Sequence, residues 1–532
     1  MHHHTSASMF ATSCSSPPTA RPLAPMRDLE LAGMTRTAKL VAIAVFLVQA
    51  LFFTFIALHR FVDWDEGYYA LASRLITMHK TPYVDFLFCQ GPLLPYVYAL
   101  WLRCFGISWI AARTFSALLT TLLGILLYQH VCRQTRSWIP GVLAVVLFAS
   151  SALAFAWLPL IKTFSLAGLF LFAAYVAITW SPKTSQPWLM GLAGLLLGFS
   201  IDSRLYLVLL VPLFLWWIVR ACAIRPRLVP ILWFLGGCAI ALVPCLWLFL
   251  RSPDRFLFNT LGFHAIRTDA GLIGMWRDKL AMVLMLFLGG KEGNGIQNSI
   301  LIFISLGFVG SVREHKAVLF AFEIAAAIAF ISILPTPVYF QYFVLCIPFL
   351  VVSAVCAVSE LAANLEARRE RLLAGVACAV ILCIYVGASV KDFRHYVGRT
   401  AEIPGGERLP RLMEVSHAID ELASPGEMVA SYWPAHIFES KAIPFPGFEG
   451  GYGFIVADRL TAEQRARYHI VSHADVDRDY AAHLPRIVVL GYENYRGKSP
   501  WRDSVKASLH AHGYTVVRTI GDTSIYVCCS TP

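Results

Sequence analysis

The chain has 532 residues, of which 57% are hydrophobic and only 14% charged, where a soluble protein carries about 25% charged residues. Long apolar runs recur over the first 390 residues, which excludes a single soluble globular domain and predicts a polytopic membrane protein. The net charge of +11 is read as topogenic Lys and Arg rather than as a nucleic-acid footprint, so no nucleic-acid partner is expected.

Residues 1–35, rich in Ser, Thr, Pro and Ala, read as a disordered cytoplasmic tail. The first span is expected over 38–58, behind Arg21, Arg27, Arg36 and Lys39, which place the N-terminus in the cytoplasm. Leu58-His59-Arg60 follows it instead of a small-residue cleavage site, so the segment is a span and not a cleaved signal. An outer loop, 59–108, comes next. It holds Asp63, Asp65 and Glu66, then an apolar stripe at Tyr68, Leu71, Ala72, Leu75 and Ile76 with helical spacing.

Ten further spans are expected, at 110–132, 138–157, 163–180, 187–202, 205–220, 229–250, 298–312, 317–334, 339–363 and 371–390. The loops between them alternate in charge, with Arg133, Arg136, Arg220, Arg225, Arg227, Arg313, Lys316 and Arg368 inside. The stretch 280–290 is too short to cross a core of about 30 Å and belongs to a second outer loop, 251–297, or to a re-entrant helix. Eleven spans, an odd number, leave the C-terminal region outside. From 391 the composition becomes that of a soluble domain: RLPRLMEVSHAIDEL and DSVKASLHAHGY read as helices, RIVVLGY as a buried strand, and TVVRTI with SIYVCC as a hairpin about Gly521-Asp522. A small extracytoplasmic α/β domain over 391–532 is therefore expected. The 13 cysteines contain no C-x-x-C pair and Cys528 and Cys529 are adjacent, so neither a zinc site nor a disulfide framework is indicated. Cys89 and Cys104 share the first outer loop and are close enough in sequence to pair.

The three acids admit two readings. Asp63 followed three residues later by Glu66 is a capping box at a helix start. Acids at a bilayer surface also mark function, because they are costly to desolvate. The outer cations Arg74, Arg113, Lys162, Arg204, Arg255 and Arg267 are candidates for phosphate; the alternative for Arg204 is a structural pair with Asp202, and for Arg113 an anchor of the loop. Tyr339-Phe340-Gln341-Tyr342 sits at the outer end of the tenth span, where aromatics form an interfacial belt, and His264 in the second outer loop is either a substrate contact or an ordinary loop residue. The segment FPGFEGGYGF (445–454) either binds a glycan or is a loop.

The run Asp65-Glu66-Gly67-Tyr68-Tyr69-Ala70, followed by Pro82-Tyr83, Gln90-Gly91-Pro92-Leu93, Tyr98-Ala99, Gly106-Ile107-Ser108 and Ala112-Arg113, resembles the membrane glycosyltransferases of the C-type (GT-C) fold. Among them are the protein O-mannosyltransferases and the lipid A aminoarabinose transferases, grouped as family 39-like. The resemblance is strongest over 60–180. It implies an inverting transfer of a sugar from a polyprenyl phosphate to an extracytoplasmic acceptor (lipid, glycan or protein), with Asp65 as general base and Glu66 as the neighbour that orients it. It also implies a Tyr that contacts the donor phosphate, best matched by Tyr342, and this residue joins Gln90, Arg113, Lys162, Arg204, His264 and Gln341, read from their place on the outer face, as the candidate donor-phosphate or substrate set. Two positions depart from the pattern. Cys89 and Gln90 stand where the aminoarabinose transferases have a Glu-Lys pair that contributes to metal and phosphate binding, so a divalent metal is not supported and no metal ligand is assigned. Lys162-Thr163 occupies the short outer turn where relatives have a second acid. The competing reading is a transporter or lipid flippase without transfer chemistry, for which Glu323, inside a span, is the main support.

Overall fold

A computed structural model describes residues 36–184, 186–221, 226–268, 271–289, 294–307, 315–398, 407–491 and 500–528. The tail 1–35 lies outside the described residues. Six helices are long and apolar enough to cross a membrane: Lys39–His59, Trp109–Thr135, Thr163–Trp180, Lys316–Ile333, Phe340–Asn364 and Arg368–Gly398. Leu228–Ala241 and Val243–Arg251, bent by 49° at their junction, make a seventh if they form one broken span. The chain is a multi-pass membrane protein.

Of the other four expected spans, three are short or broken helices. The segment expected as 138–157 breaks at Ser151, whose extended backbone separates Trp138–Ser150 from Ala152–Trp157. Trp188–Ser203 has 16 residues, fewer than the roughly 20 that an upright helix needs; of the expected span 298–312 the helix Gly295–Gly307 covers the described part, and the remainder lies outside the described residues. Leu205–Leu210 is a 3-10 turn leading into Val211–Ala221. The length rule alone therefore supports fewer spans than the charge pattern predicts. The stretch 280–290 falls on the C-terminal half of the helix Gly271–Leu288, which is not among the span-length candidates.

Small residues set how closely the helices cross. A Cβ on Gly194 would stand 1.9 Å from the Phe234 carbonyl, and one on Gly237 would stand 2.0 Å from that of Gly191. The helices Trp188–Ser203 and Leu228–Ala241 thus meet backbone to backbone, as small-residue interfaces in lipid allow. Glu323 is paired with Arg220 at 2.9 Å, which accounts for the charge inside that span without a transport pathway.

The loop after α1 (Arg36–His59) folds into α2 (Trp64–Thr77) and α3 (Leu93–Phe105), and then enters α4 (Trp109–Thr135). Cys89 is buried, Cys104 is exposed, and both are free.

The C-terminal domain is built on a five-stranded sheet in the order β2-β1-β3-β5-β4. Its strands are β1 (Met428–Ser431), β2 (Ile443–Pro444), β3 (Ile487–Leu490), β4 (Tyr514–Ile520) and β5 (Thr523–Cys528). β1 runs parallel to β2 and β3, and β5 is antiparallel to β3 and β4. The expected hairpin turns at Gly521, whose φ of 61° suits glycine.

This domain docks directly on α2. A Cβ on Gly67 would lie 2.6 Å from Ala435, so only glycine lets the two backbones approach. Trp64 stacks on Trp433 with centroids 6.2 Å apart, and the Trp433 indole donates to the Trp64 carbonyl at 3.0 Å. Arg74 donates to the carbonyls of Ile437 and of Ala442, the latter at 2.7 Å. Trp109, fully buried, meets Phe438 edge-to-face at 4.9 Å.

Candidate active site

The acids are organised by the start of α2. Asp63 is its N-cap, with a side chain that accepts from the Asp65 amide at 3.2 Å, and Glu66 closes the capping box by accepting from the Asp63 amide at 2.8 Å. The capping reading therefore holds for Asp63 and Glu66 and leaves the Asp65 side chain outside the box. Glu66 is fully buried and its two oxygens take four bonds: Arg113 at 2.5 Å and 3.0 Å, the Asp63 amide, and the Ile161 amide at 3.2 Å. It has no lone pair facing a ligand.

Arg113 is consumed in the same way. Besides Glu66 it donates to the carbonyls of Ala57 at 2.6 Å, Arg60 at 2.7 Å and Phe61 at 3.1 Å. All five of its N–H groups are used, so this residue ties the end of α1 to α4 and has nothing left for a phosphate. That is the loop-anchoring alternative to a phosphate role.

Asp65 is different. Its side chain is 32% exposed, against 9% for Asp63 and none for Glu66. Oδ2 accepts from Lys162 Nζ at 2.9 Å, and Oδ1 accepts from the Tyr452 hydroxyl. Lys162 also meets Asp63 at 2.5 Å and lies 4.6 Å from the centroid of the Trp157 ring. It is only 2% exposed, so it neither snorkels to a headgroup region nor stands free for phosphate; it is the internal counterion of two carboxylates. Burial by itself would raise the Asp65 carboxyl, but Lys162, the Tyr452 hydroxyl and Arg204 outweigh it and hold the group below its ordinary value. Burial works against charge on Lys162 too, and there the two aspartates win and hold the ammonium above its usual range. At neutral pH the pair is therefore ionised.

Arg204 does not form the structural pair with Asp202 that is the alternative to a phosphate role. It donates instead to the hydroxyls of Thr163 at 2.6 Å and Tyr206 at 2.9 Å, and its guanidinium lies 4.3 Å from the Phe164 ring and 5.4 Å from the Tyr342 ring. The Asp202 carboxylate makes no hydrogen bond to any described residue. The other candidate cations are held by backbone: Arg255 donates to the Val84 carbonyl and Arg267 to that of Thr336 at 3.0 Å. Among the described residues, Arg204 is the cation of this group that has neither a carboxylate nor a carbonyl partner and whose charge acts on Asp65.

The remaining predicted residues are dispersed around this centre. Tyr342 and Gln341 lie half-buried in the 3-10 turn Phe340–Cys346, with Tyr342 beside Arg204. Gln90 is half-buried and its carbonyl accepts from the Tyr83 hydroxyl at 2.6 Å. His264 meets the Cys89 carbonyl at 2.9 Å, and burial together with Arg267 lowers its imidazole to about 4. It is a neutral brace for the Cys89 turn. Among the described residues no three His, Cys, Asp or Glu side chains converge as a metal ion would require. Tyr452 is the contact that sequence reasoning missed; the Gly/aromatic character of 445–454 was the signal, but nothing in it pointed to Asp65.

No family model matches the chain, and no curated protein matches it. Solved structures do. ArnT from Cupriavidus metallidurans bound to undecaprenyl phosphate is similar over 93% of this chain and 99% of its own, at 14% identity and a TM-score of 0.62. Its apo state gives the same score over 92% of this chain and 98% of its own. The archaeal oligosaccharyltransferase AglB from Archaeoglobus fulgidus, in complex with an inhibitory peptide and a dolichol-phosphate, is similar over 93% of this chain and 75% of its own, at 13% identity and a TM-score of 0.50. The chain therefore has the GT-C fold.

Proposed function

We propose that the chain is a membrane glycosyltransferase that moves a sugar from a polyprenyl phosphate to an acceptor hydroxyl outside the cytoplasm. One observation carries the reading: of three acids gathered at the head of α2, Asp65 alone presents an ionised, partly open carboxylate, and an arginine without a carboxylate partner stands within its field. A glycosyl transfer needs a base for the acceptor proton and a cation for the charge that grows on the leaving phosphate. Asp65 takes the proton as the acceptor oxygen bonds to the anomeric carbon. The bond from that carbon to the phosphate oxygen breaks on the opposite face, inverting the configuration. Arg204, beside Tyr342, receives the phosphate.

The fold shared with a structure that holds undecaprenyl phosphate supports a lipid-linked donor. The charge pattern of the loops supports eleven spans, a cytoplasmic N-terminus and an extracytoplasmic C-terminal domain. In this frame Asp63, Glu66, Arg113 and Lys162 hold the loop in shape. The test is transfer by purified protein in lipid nanodiscs, supplied with a panel of polyprenyl-phosphate sugars and an envelope extract as acceptor, with products resolved by mass. A product one sugar heavier than its acceptor is expected. Transport of a sugar lipid across sealed vesicles without any such product would refute the proposal.

A further inference from the structure

The C-terminal domain reaches into the centre of the site through one side chain. Its segment 445–454 turns at Gly450-Gly451, where Gly451 takes a φ of 60°, a conformation that favours glycine. A Cβ on Gly451 would lie 3.2 Å from Pro434 and 3.8 Å from Trp64, so the turn is pressed against the first residue of α2. It delivers Tyr452 over the acids. The ring meets Tyr68 edge-to-face at 4.8 Å and Phe263 at 6.4 Å, which holds it between the α2 helix and the second loop. Its hydroxyl donates to Asp65 Oδ1 while Lys162 occupies Oδ2.

A base that accepts a proton from a hydroxyl needs a fixed lone-pair direction and a basicity matched to the working pH. A donor to the charged form lowers that basicity, and its loss restores it. Burial and the Asp65 charge raise the Tyr452 phenol well above its ordinary value, so it stays a donor. It enters and leaves the transfer step with its own proton, because the acceptor proton ends on Asp65.

We propose that Tyr452 is a positioning residue that fixes the Asp65 carboxylate and sets its basicity, so that the C-terminal domain completes the active site instead of merely capping it. The proposal rests on Asp65 as the base, and its test is chosen to separate the two. Full-length protein in nanodiscs is titrated while infrared difference spectra are recorded, and the protonated carboxyl band of Asp65 is identified as the one missing in Asp65→Asn. Tyr452→Phe removes the hydroxyl and keeps the ring contacts. Its Asp65 band is expected at a pH about one unit higher than in the wild type. The acid limb of the transfer rate should move by the same amount, with the donor KM unchanged. A difluorinated tyrosine at position 452, a stronger donor of the same shape, should move both the other way. A band and a limb that stay at their wild-type pH in both variants would overturn the proposal. Should Asp65→Asn keep wild-type turnover, the base assignment falls, and the catalytic role of Tyr452 falls with it, even if the band shifts.

Discussion

Breaking the Glu66–Arg113 pair should cost stability and leave the chemistry of the folded fraction alone. In Arg113→Met the Glu66 carboxylate keeps two amide donors, from Asp63 and Ile161, and loses the guanidinium that meets it at 2.5 Å in a fully buried site. Removing one partner of a buried pair costs about 3–5 kcal/mol. The carbonyls of Ala57 and Arg60 lose the Arg113 donor as well, while that of Phe61 keeps Arg60 at 3.0 Å, which places the expected loss toward the upper end of that range. Arg113→Met combined with Glu66→Leu removes the stranded charge and should recover part of the loss, although Asp63 then loses its box partner. The assay is thermal unfolding of detergent-purified protein followed by tryptophan fluorescence, with turnover measured on the monodisperse fraction. A single variant as stable as the wild type, or a double variant less stable than the sum of both singles, would refute the reasoning. A Glu66→Gln protein that folds normally yet has lost turnover entirely would do the same, by making Glu66 a chemical participant.

Arg204→Met should raise the donor KM about 10- to 100-fold, the worth of one charge-assisted hydrogen bond, while Arg204→Lys keeps part of the affinity; initial rates over a range of donor concentrations decide it. Gly67→Val should separate the C-terminal domain from α2, because a Cβ there would stand 2.6 Å from Ala435, and limited proteolysis should then release the domain. Glu407 is 2% exposed and burial pushes its carboxyl up from 4.5 to about 7 despite Arg411. A raised carboxyl stabilises the fold below pH 4.5, and this contribution is lost as pH rises through about 7. The difference amounts to about 3 kcal/mol, so Glu407→Gln should flatten the pH dependence of the melting temperature across that window.

What the sequence revealed followed from local rules. Hydropathy placed the apolar helices, and Asp63 with Glu66 announced a capping box that the structure contains. The strand at 487–490, the helix at 409–422 and the turn at Gly521 were visible through period, β-branching and glycine. The partners of the cations were not. Arg113 lies 47 positions from Glu66 and Lys162 lies 97 from Asp65, and no spacing rule links residues that far apart. Proximity in sequence offered an Asp202–Arg204 pair as one of two readings, but the chain turns from helix to extended backbone at Arg204, which aims the two side chains apart. Tyr452 was hidden for the same reason. Its contact with Asp65 spans 387 positions and depends on how a separate domain docks.

The central claim is that Asp65 is the base. It is tested most directly by single-turnover transfer with Asp65→Asn, an isosteric change that keeps a polar group before Lys162 and Tyr452, in protein whose melting temperature and donor binding match the wild type. Bound donor and no detectable sugar transfer are expected; transfer at a rate near that of the wild type would rule out Asp65 as the base.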